Sequence, residues 1–211
     1  TAQSNGGTHG VVLDNDASGA AAPKAVTLTG ANSFSYNWLD GLYISTYGAV
    51  TTNNLTATYN GVSGFMGSGV TINNYQGINT IAANITLNGN NVFLGNFQYG
   101  LFVQAFGAIK ANNITASGNG GVSSAGVFLD TSNAPSASSG NITLTGTNTS
   151  TSNAVGFEID AKGAVSLNNV TASTNSGAGL LVDNTFATTA TPKPVTLTGI
   201  NSFTYYGGNG L

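Results

Sequence analysis

One short strand motif recurs along the whole chain and constrains its fold more than any other feature. The motif opens with glycine. Apolar residues, which would face the interior, follow one and three positions later, except at Gly67. Its seven copies begin at Gly10, Gly41, Gly64, Gly100, Gly126, Gly156 and Gly179. Self-similarity of this kind is typical of a solenoid. We therefore expect residues 1–211 to form a single β-solenoid segment taken from a longer repeat array.

Two further strand motifs recur between these copies. Val26-Thr-Leu-Thr-Gly returns in similar form at residues 85, 142 and 195, and Gly48-Ala-Val returns at residues 107 and 163. Because successive side chains of a strand point to opposite faces, Val26 and Leu28 would face an interior. The sequence predicts an all-β fold, a parallel β-helix of about seven to eight coils with three short parallel sheets. A right-handed helix is expected because parallel crossovers are almost always right-handed.

Asparagine marks the corners of these coils. It stands four residues before the opening glycine at positions 37, 60, 96 and 175, and three before it at Asn153. Asparagine tolerates left-handed backbone and hydrogen-bonds within turns, and stacked amides can form a ladder. The Asn-Asn pairs 53–54, 112–113 and 168–169 predict a second corner.

Composition excludes several classes of function. Only 5% of residues are charged, the net charge is −3, and the four basic residues are lysines scattered along the chain. A surface that tracks phosphates needs clustered basic residues, so we expect no nucleic-acid partner. The chain has no cysteine for disulfides or thiolate metal sites. No apolar run approaches the ~20 residues of a membrane span, so membrane insertion is not expected.

The N-terminal stretch, residues 1–9, lies before the first coil and is expected to be flexible or to cap the solenoid. His9 is the single histidine of the chain. A lone histidine supports neither a catalytic triad nor a metal cluster. We assign it to the flexible terminus.

The rhythm of asparagine, three residues, glycine and alternating apolar residues resembles the pectin-lyase-like right-handed parallel β-helix, of the kind found in filamentous-haemagglutinin-like bacterial surface proteins. The resemblance implies a structural or adhesive segment of a large exported surface or fibre protein, located outside the cell or at its surface, and no enzyme. The scaffold also hosts lyases and hydrolases. The alternative is a polysaccharide-acting enzyme, pectate-lyase-like or a hydrolase, or a carbohydrate-binding β-helix.

Three aspartates occupy the same position in successive coils. Asp130, Asp160 and Asp183 each lie four residues after the opening glycine. Carboxylates one coil apart would raise one another's pKa or share a Ca²⁺ ion. They are the candidate metal ligands, and calcium is the only cofactor we consider. The pectin-lyase-like enzymes carry acids on an outer sheet face, but this chain has no arginine and no Asp-Asp pair, which disfavours catalysis.

The second position of the opening strand should face solvent, yet it is apolar in six of seven coils. A contiguous apolar surface usually marks an interface, here for self-association or for other surface-protein domains. Cover by loops, or single large residues that favour β structure, would explain the same pattern. The candidate interface residues are Val12, Tyr43, Met66, Phe102, Phe128 and Leu181.

Two other surfaces suggest ligands. Tyr36, Trp38, Tyr43 and Tyr47 could form an aromatic platform for stacking a carbohydrate. Outward threonines at 27 and 29, 143 and 145, and 196 and 198 are similar to the Thr-x-Thr rows of ice-binding solenoids. Alternate coils interrupt these rows with Asn53, Lys110 and Asn168, so ice binding is a minor alternative.

Overall fold

A computed structural model describes residues 1–16, 24–64, 66–75, 82–121, 124–136, 138–186 and 193–204. These residues form strands, turns and bends, and none of them is helical. The described part of the chain accordingly offers no apolar helix long enough to cross a membrane.

The strands form three parallel sheets, and every third strand belongs to the same sheet. Sheet A contains β1 (Ala2–Gln3), β4 (Asn32–Ser35), β7 (Leu55–Thr58), β10 (Asn91–Leu94), β13 (Ile114–Ser117), β16 (Asn148–Thr151), β19 (Val170–Ser173) and β22 (Ser202–Thr204). Sheet B contains β2 (Val11–Asn15), β5 (Leu42–Thr46), β8 (Val70–Asn73), β11 (Leu101–Gln104), β14 (Ala125–Asp130), β17 (Val155–Asp160) and β20 (Leu180–Asp183). Sheet C contains β3 (Val26–Leu28), β6 (Val50–Asn53), β9 (Ile85–Asn88), β12 (Ile109–Asn112), β15 (Ile142–Thr145), β18 (Val165–Asn168) and β21 (Val195–Thr198).

The chain visits sheets A, B and C in turn, so each coil contributes one strand to each sheet. Neighbouring strands within a sheet come from successive coils and pair in parallel. With eight strands in sheet A and seven in each of the others, the fold is the right-handed parallel β-helix of seven to eight coils and three sheets that the sequence predicts.

The core is a column of inward side chains from all three sheets. Alternate residues of most strands are fully buried, as in β5, where Leu42 and Ile44 have no exposed surface. Phe93 and Phe157 are the largest side chains within the column. Burying one such side chain contributes roughly 1.5–3 kcal/mol to folding. Because each coil packs on the next, the apolar interior is continuous along the described stack.

The third opening strand differs from the prediction. The strand begins after Gly69, as Val70-Thr71-Ile72-Asn73, and not after Gly64. In the predicted register Gly67 would leave an inward position without a side chain, whereas Val70 and Ile72 fill both inward positions and are fully buried. Gly64 has a φ of +91° with no neighbouring atom near its missing Cβ, so it belongs to a turn.

The predicted asparagine ladder forms and is longer than expected. From Asn37 onward, the side-chain oxygen of each ladder asparagine accepts one hydrogen bond from the side-chain amide of the asparagine in the preceding coil and another from the backbone N–H of that same asparagine. The residue before each of these asparagines has a left-handed backbone, so it makes the turn in place of the asparagine itself. The ladder runs through Asn5, Asn37, Asn60, Asn96, Asn119, Asn153 and Asn175.

The ladder also explains the opening glycines. A Cβ at Gly100 would lie 2.6 Å from the carbonyl oxygen of Gly126 and 2.8 Å from Nδ2 of Asn119. No side chain fits between a ladder amide and the next coil. The Asn-Asn pairs form the second corner as predicted, with left-handed backbone at Asn54, Asn113 and Asn169.

Candidate functional site on the outer face of sheet B

The outer face of sheet B carries two parallel rows of side chains, one residue from each coil in each row. We call them the apolar row and the polar row. The apolar row comprises Val12, Tyr43, Thr71, Phe102, Phe128, Glu158 and Leu181. The polar row comprises Asp14, Ser45, Asn73, Gln104, Asp130, Asp160 and Asp183.

Met66, which we expected in the apolar row, lies outside it. Its place is taken by Thr71, because the third strand begins at Val70. Met66 lies in the preceding connection with 68% of its surface exposed. The predicted interface residues Val12, Tyr43, Phe102, Phe128 and Leu181 do lie in one row, interrupted by Thr71 and Glu158. Their role in an interface stays a prediction.

An aromatic cluster occupies the middle of the apolar row. The rings of Phe102 and Phe128 stack with centroids 5.1 Å apart and planes 24° apart. Tyr99, from the corner before β11, covers both rings at 5.1 and 5.7 Å. Such ring pairs add about 0.5–1.5 kcal/mol beyond their buried area. The two phenylalanines are therefore half-buried by their own neighbours.

Glu158 places a carboxylate within the apolar row. It is the register partner of Phe128 on one side and of Leu181 on the other. Burial raises the pKa of Glu158 above its ordinary value. The pKa of Tyr99 is raised as well, by burial and then by the charge of Glu158. Loss of water therefore disfavours the charge at this position.

The three predicted aspartates stack in the polar row, with Asp160 paired in register to Asp130 and to Asp183. Asp130 accepts hydrogen bonds from the side chain of Gln104 at 2.9 Å and the backbone of Ser132 at 2.7 Å. Asp183 accepts bonds from the backbone and hydroxyl of Thr185. Burial, followed in order by the charges of Asp130, Glu158 and Asp183, raises the pKa of Asp160 to about 6.

The geometry gives calcium little room. Protein donors already engage Asp130 and Asp183, and within the described ranges no three or more acidic or histidine side chains are arranged to hold a metal ion. The calcium role of this row stays a prediction. What the arrangement does show is mutual repulsion between carboxylates one coil apart, centred on Asp160.

His9, in the N-terminal stretch that we expected to be flexible or to cap the solenoid, contacts the second coil. Its Nδ1 lies 3.3 Å from Oδ2 of Asp40, and its ring lies 5.3 Å from that of Tyr43. Asp40 is buried, and its other oxygen accepts a hydrogen bond from the backbone of Ser68 at 2.6 Å. Burial raises the pKa of Asp40, although the Ser68 bond and His9 act in the opposite direction. Within residues 1–9, β1 also pairs with β4.

A groove opens beside this pair, with a volume of about 200 Å³. Thr71 is smaller than its row neighbours, and residues from the adjoining corners surround the space above it. Sequence reasoning missed the groove because its walls come from corner segments of different coils. The groove is lined by Asp40, Met66, Ser68, Thr71, Gln98, Tyr99 and Phe102.

The predicted aromatic platform is spread over three parts of the coil. Tyr36 and Trp38 follow β4 at the corner between sheets A and B, Tyr43 lies on sheet B, and Tyr47 follows β5 at the corner with sheet C. Tyr36 stacks on Tyr59, which we did not anticipate, with centroids 5.3 Å apart. The sequence contains a signal for this stacking, because Tyr36 and Tyr59 each directly precede a ladder asparagine and so occupy equivalent positions in successive coils.

The outer face of sheet C has the interrupted threonine pattern that argued against ice binding. Lys110 stands in register between Thr86 and Thr143, and Asn168 pairs with Thr198. Sheet A carries hydroxyl side chains in most coils, and one pair bonds along the stack, Thr151 to Ser117 at 3.0 Å.

Comparisons with protein-family models, curated proteins and solved structures found no match to this chain.

Proposed function

We propose that the chain is a structural and adhesive segment of a large exported bacterial surface or fibre protein, similar to the pectin-lyase-like helices of filamentous-haemagglutinin-like proteins. The observation that carries the proposal is the asparagine ladder, which links seven coils from Asn5 to Asn175. The ladder runs along a continuous apolar core. In a stacked repeat, stability is a sum of such neighbour contacts, so a regular stack makes a stiff rod.

A stiff rod suits the display of binding surfaces at a distance from the cell. The outer face of sheet B, with its aromatic cluster and half-buried acids, is the surface we propose for contact with partners or other copies. Export to the cell surface is part of the same proposal.

The enzyme alternative receives less support from the site. Catalysis by Asp130, Asp160 and Asp183 would call for a basic partner or a metal beside them. Among the described residues, only His9 lies within ion-pairing distance of a carboxylate, that of Asp40, and this contact lies beside the first two coils of sheet B. The aspartate row therefore has acidic neighbours but no basic partner within that part of the chain.

Force spectroscopy on the segment, held at its two ends, tests the structural role. We expect unfolding in steps of whole coils, and a lower rupture force in Asn119→Ala, which interrupts the ladder. Asn88→Ala, at an exposed position of β9, is the matched control and should leave the force unchanged. Unfolding at low force without steps would reject the rod.

Antibody labelling of intact cells of the source organism tests export. We expect labelling without permeabilisation. Labelling that needs cell lysis would reject the surface location while leaving the mechanical result untouched.

A further inference from the structure

The groove on sheet B owes its shape to one small residue. Thr71 stands in register between Tyr43 and Phe102. Strands of a sheet are about 4.8 Å apart, so the two strands that carry these large rings lie roughly 10 Å from one another across the threonine. The space above Thr71 is the groove, about 200 Å³ in volume.

The walls combine aromatic faces with uncharged polar groups. Tyr99 and Phe102 form one wall, with ring centroids 5.1 Å apart, and the exposed side chain of Met66 forms another. The hydroxyl residues Ser68 and Thr71 line it as well, and Gln98 contributes an amide. Aromatic faces beside hydrogen-bonding groups suit a ligand that carries both apolar faces and hydroxyls.

The charges present argue for a neutral ligand. None of the lysines lines the groove, so an anionic ligand would find no counter-charge there. The carboxylate of Asp40 is already engaged by the Ser68 backbone and by His9. A cation would therefore compete with existing partners for this charge. Hydroxyl groups of a ligand, in contrast, match the hydroxyl and amide groups of the lining.

We propose that the groove binds one neutral pyranose residue of a glycan, with the sugar ring against Phe102 and Tyr99 and its hydroxyls hydrogen-bonded to Gln98 and Ser68. This inference rests on the adhesive part of the proposed function and names its ligand class. The volume is below the ~300 Å³ of pockets for drug-sized ligands, which fits a single sugar ring. None of the predicted platform residues Tyr36, Trp38, Tyr43 and Tyr47 lines the groove, although Tyr43 is the register neighbour of Thr71.

Saturation-transfer NMR on the whole segment tests the proposal. The neutral probes are cellotetraose, maltotetraose and chitotetraose, with tetragalacturonate as the anionic probe and choline as the cationic one. We expect transfer to at least one neutral probe and a loss of affinity of about tenfold in Phe102→Ala and in Gln98→Ala. Leu181→Ala, on the same row but two coils beyond Phe128, is the matched control and should bind as the parent does.

Thermal melting of each variant separates loss of binding from loss of folding. Gln98 lies in a corner outside the core, so Gln98→Ala remains informative if Phe102→Ala proves unstable. Transfer to galacturonate or choline alone would overturn the proposal. So would failure of all three neutral probes, or binding that is unchanged in Gln98→Ala. None of these results bears on the rupture force. The proposal of a sugar site in the groove and the proposal of a structural rod can therefore be rejected independently.

Discussion

Asn96 donates a hydrogen bond from Nδ2 to Oδ1 of Asn119 at 2.8 Å, and both side chains are almost completely buried. The same oxygen also accepts the backbone N–H of Asn96 at 3.0 Å. One acceptor thus satisfies two donors of the preceding coil. Buried donors that lose their acceptor are costly, so the ladder holds each coil to one position on the next.

Replacement of a ladder residue should destabilise the whole stack. Asn119→Ala would leave two buried donors of Asn96 without an acceptor, at about 1–3 kcal/mol each. We expect the free energy of unfolding to fall by about 2–5 kcal/mol, measured by urea denaturation. Asn88→Ala, at an exposed position, should change it by less than about 0.5 kcal/mol. Equal effects of the two substitutions would show that the ladder hydrogen bonds do not contribute to the free energy of unfolding.

The ladder also shows how far the sequence alone reaches. An offset of three or four residues before a glycine identified five of its members, although the glycine used for Asn60 was Gly64, which belongs to a turn. It missed Asn119, seven residues before Gly126, and Asn5, five before Gly10. The physical reason is that the segment between asparagine and strand lies outside the three sheets and differs in length from coil to coil. Its backbone still bonds to the next coil, as the Gly120 N–H does to the carbonyl of Asn96. Positions within the sheets are fixed by strand register, which is why most strands and most of the core were predictable.

The difference between sheet positions and corner segments also explains which parts of the candidate site could be predicted. The aspartate row follows from strand register, and the structure aligns Asp130, Asp160 and Asp183 as expected. The groove depends on Gln98 and Tyr99, which lie in a corner segment, and no repeat pattern specifies the path of that segment. Met66 was misplaced for the same reason. It follows Gly64, a turn glycine that resembles in sequence the glycine that opens a strand motif.

The corrected register of the third coil can be tested by stability. Ile72 is fully buried between Ile44 and Val103, whereas Met66 is exposed. Ile72→Ala should lower the free energy of unfolding by about 2–5 kcal/mol through the cavity it leaves. Met66→Ala should change it by less than about 0.5 kcal/mol. A larger loss of stability in Met66→Ala than in Ile72→Ala, measured by urea denaturation, would support the register that begins at Gly64.

The raised pKa of Asp160 predicts a pH-dependent stability. Its folded pKa of about 6 exceeds the ordinary 3.8, so the folded state binds the proton more tightly. Stability from this group is present below pH 3.8 and is lost as pH rises through 6. Because the side chain is partly exposed, screening reduces the effect to about 1 kcal/mol. Asp160→Asn should therefore melt higher than the parent at pH 7.5 and at the same temperature near pH 4.

Asp183 is the matched control for this experiment. The hydrogen bonds from Thr185 lower the pKa of Asp183, so its ionised form is the favoured one in the folded state. Asp183→Asn should not raise the melting temperature at pH 7.5. If both substitutions stabilise the protein equally, the repulsion is spread over the row and is not centred on Asp160.

The calcium hypothesis for the same row makes a separable prediction. If Asp130, Asp160 and Asp183 bind Ca²⁺, millimolar calcium should raise the melting temperature of the parent by mass action. The rise should vanish in Asp160→Asn and should not occur with magnesium, which prefers a tighter octahedral site. Identical melting curves with calcium and with a chelator would leave the row as mutually repelling acids.

Glu158 should limit lateral association through the apolar row. It stands between Phe128 and Leu181, and its raised pKa shows that loss of water already disfavours its charge. An approaching second copy would remove more water from the carboxylate and so meet a penalty at neutral pH. Glu158→Leu removes this charge and joins Phe128 to Leu181 in an unbroken apolar surface.

We expect Glu158→Leu to associate more strongly than the parent in sedimentation equilibrium at pH 7.5. An added ~50 Å² of buried apolar area is worth about 1 kcal/mol, or roughly fivefold in the association constant, before the relief of the charge is counted. Glu158→Gln removes the charge without adding apolar area, so its association should be intermediate between that of the parent and that of Glu158→Leu. Phe128→Ser takes apolar area away, so its association should be the weakest. Asp160, on the same face, keeps its charge in all variants and limits the gain. A Glu158→Leu variant as monomeric as the parent would show that the aromatic cluster with Tyr99 is already complete within one chain, and that the apolar row is not an interface.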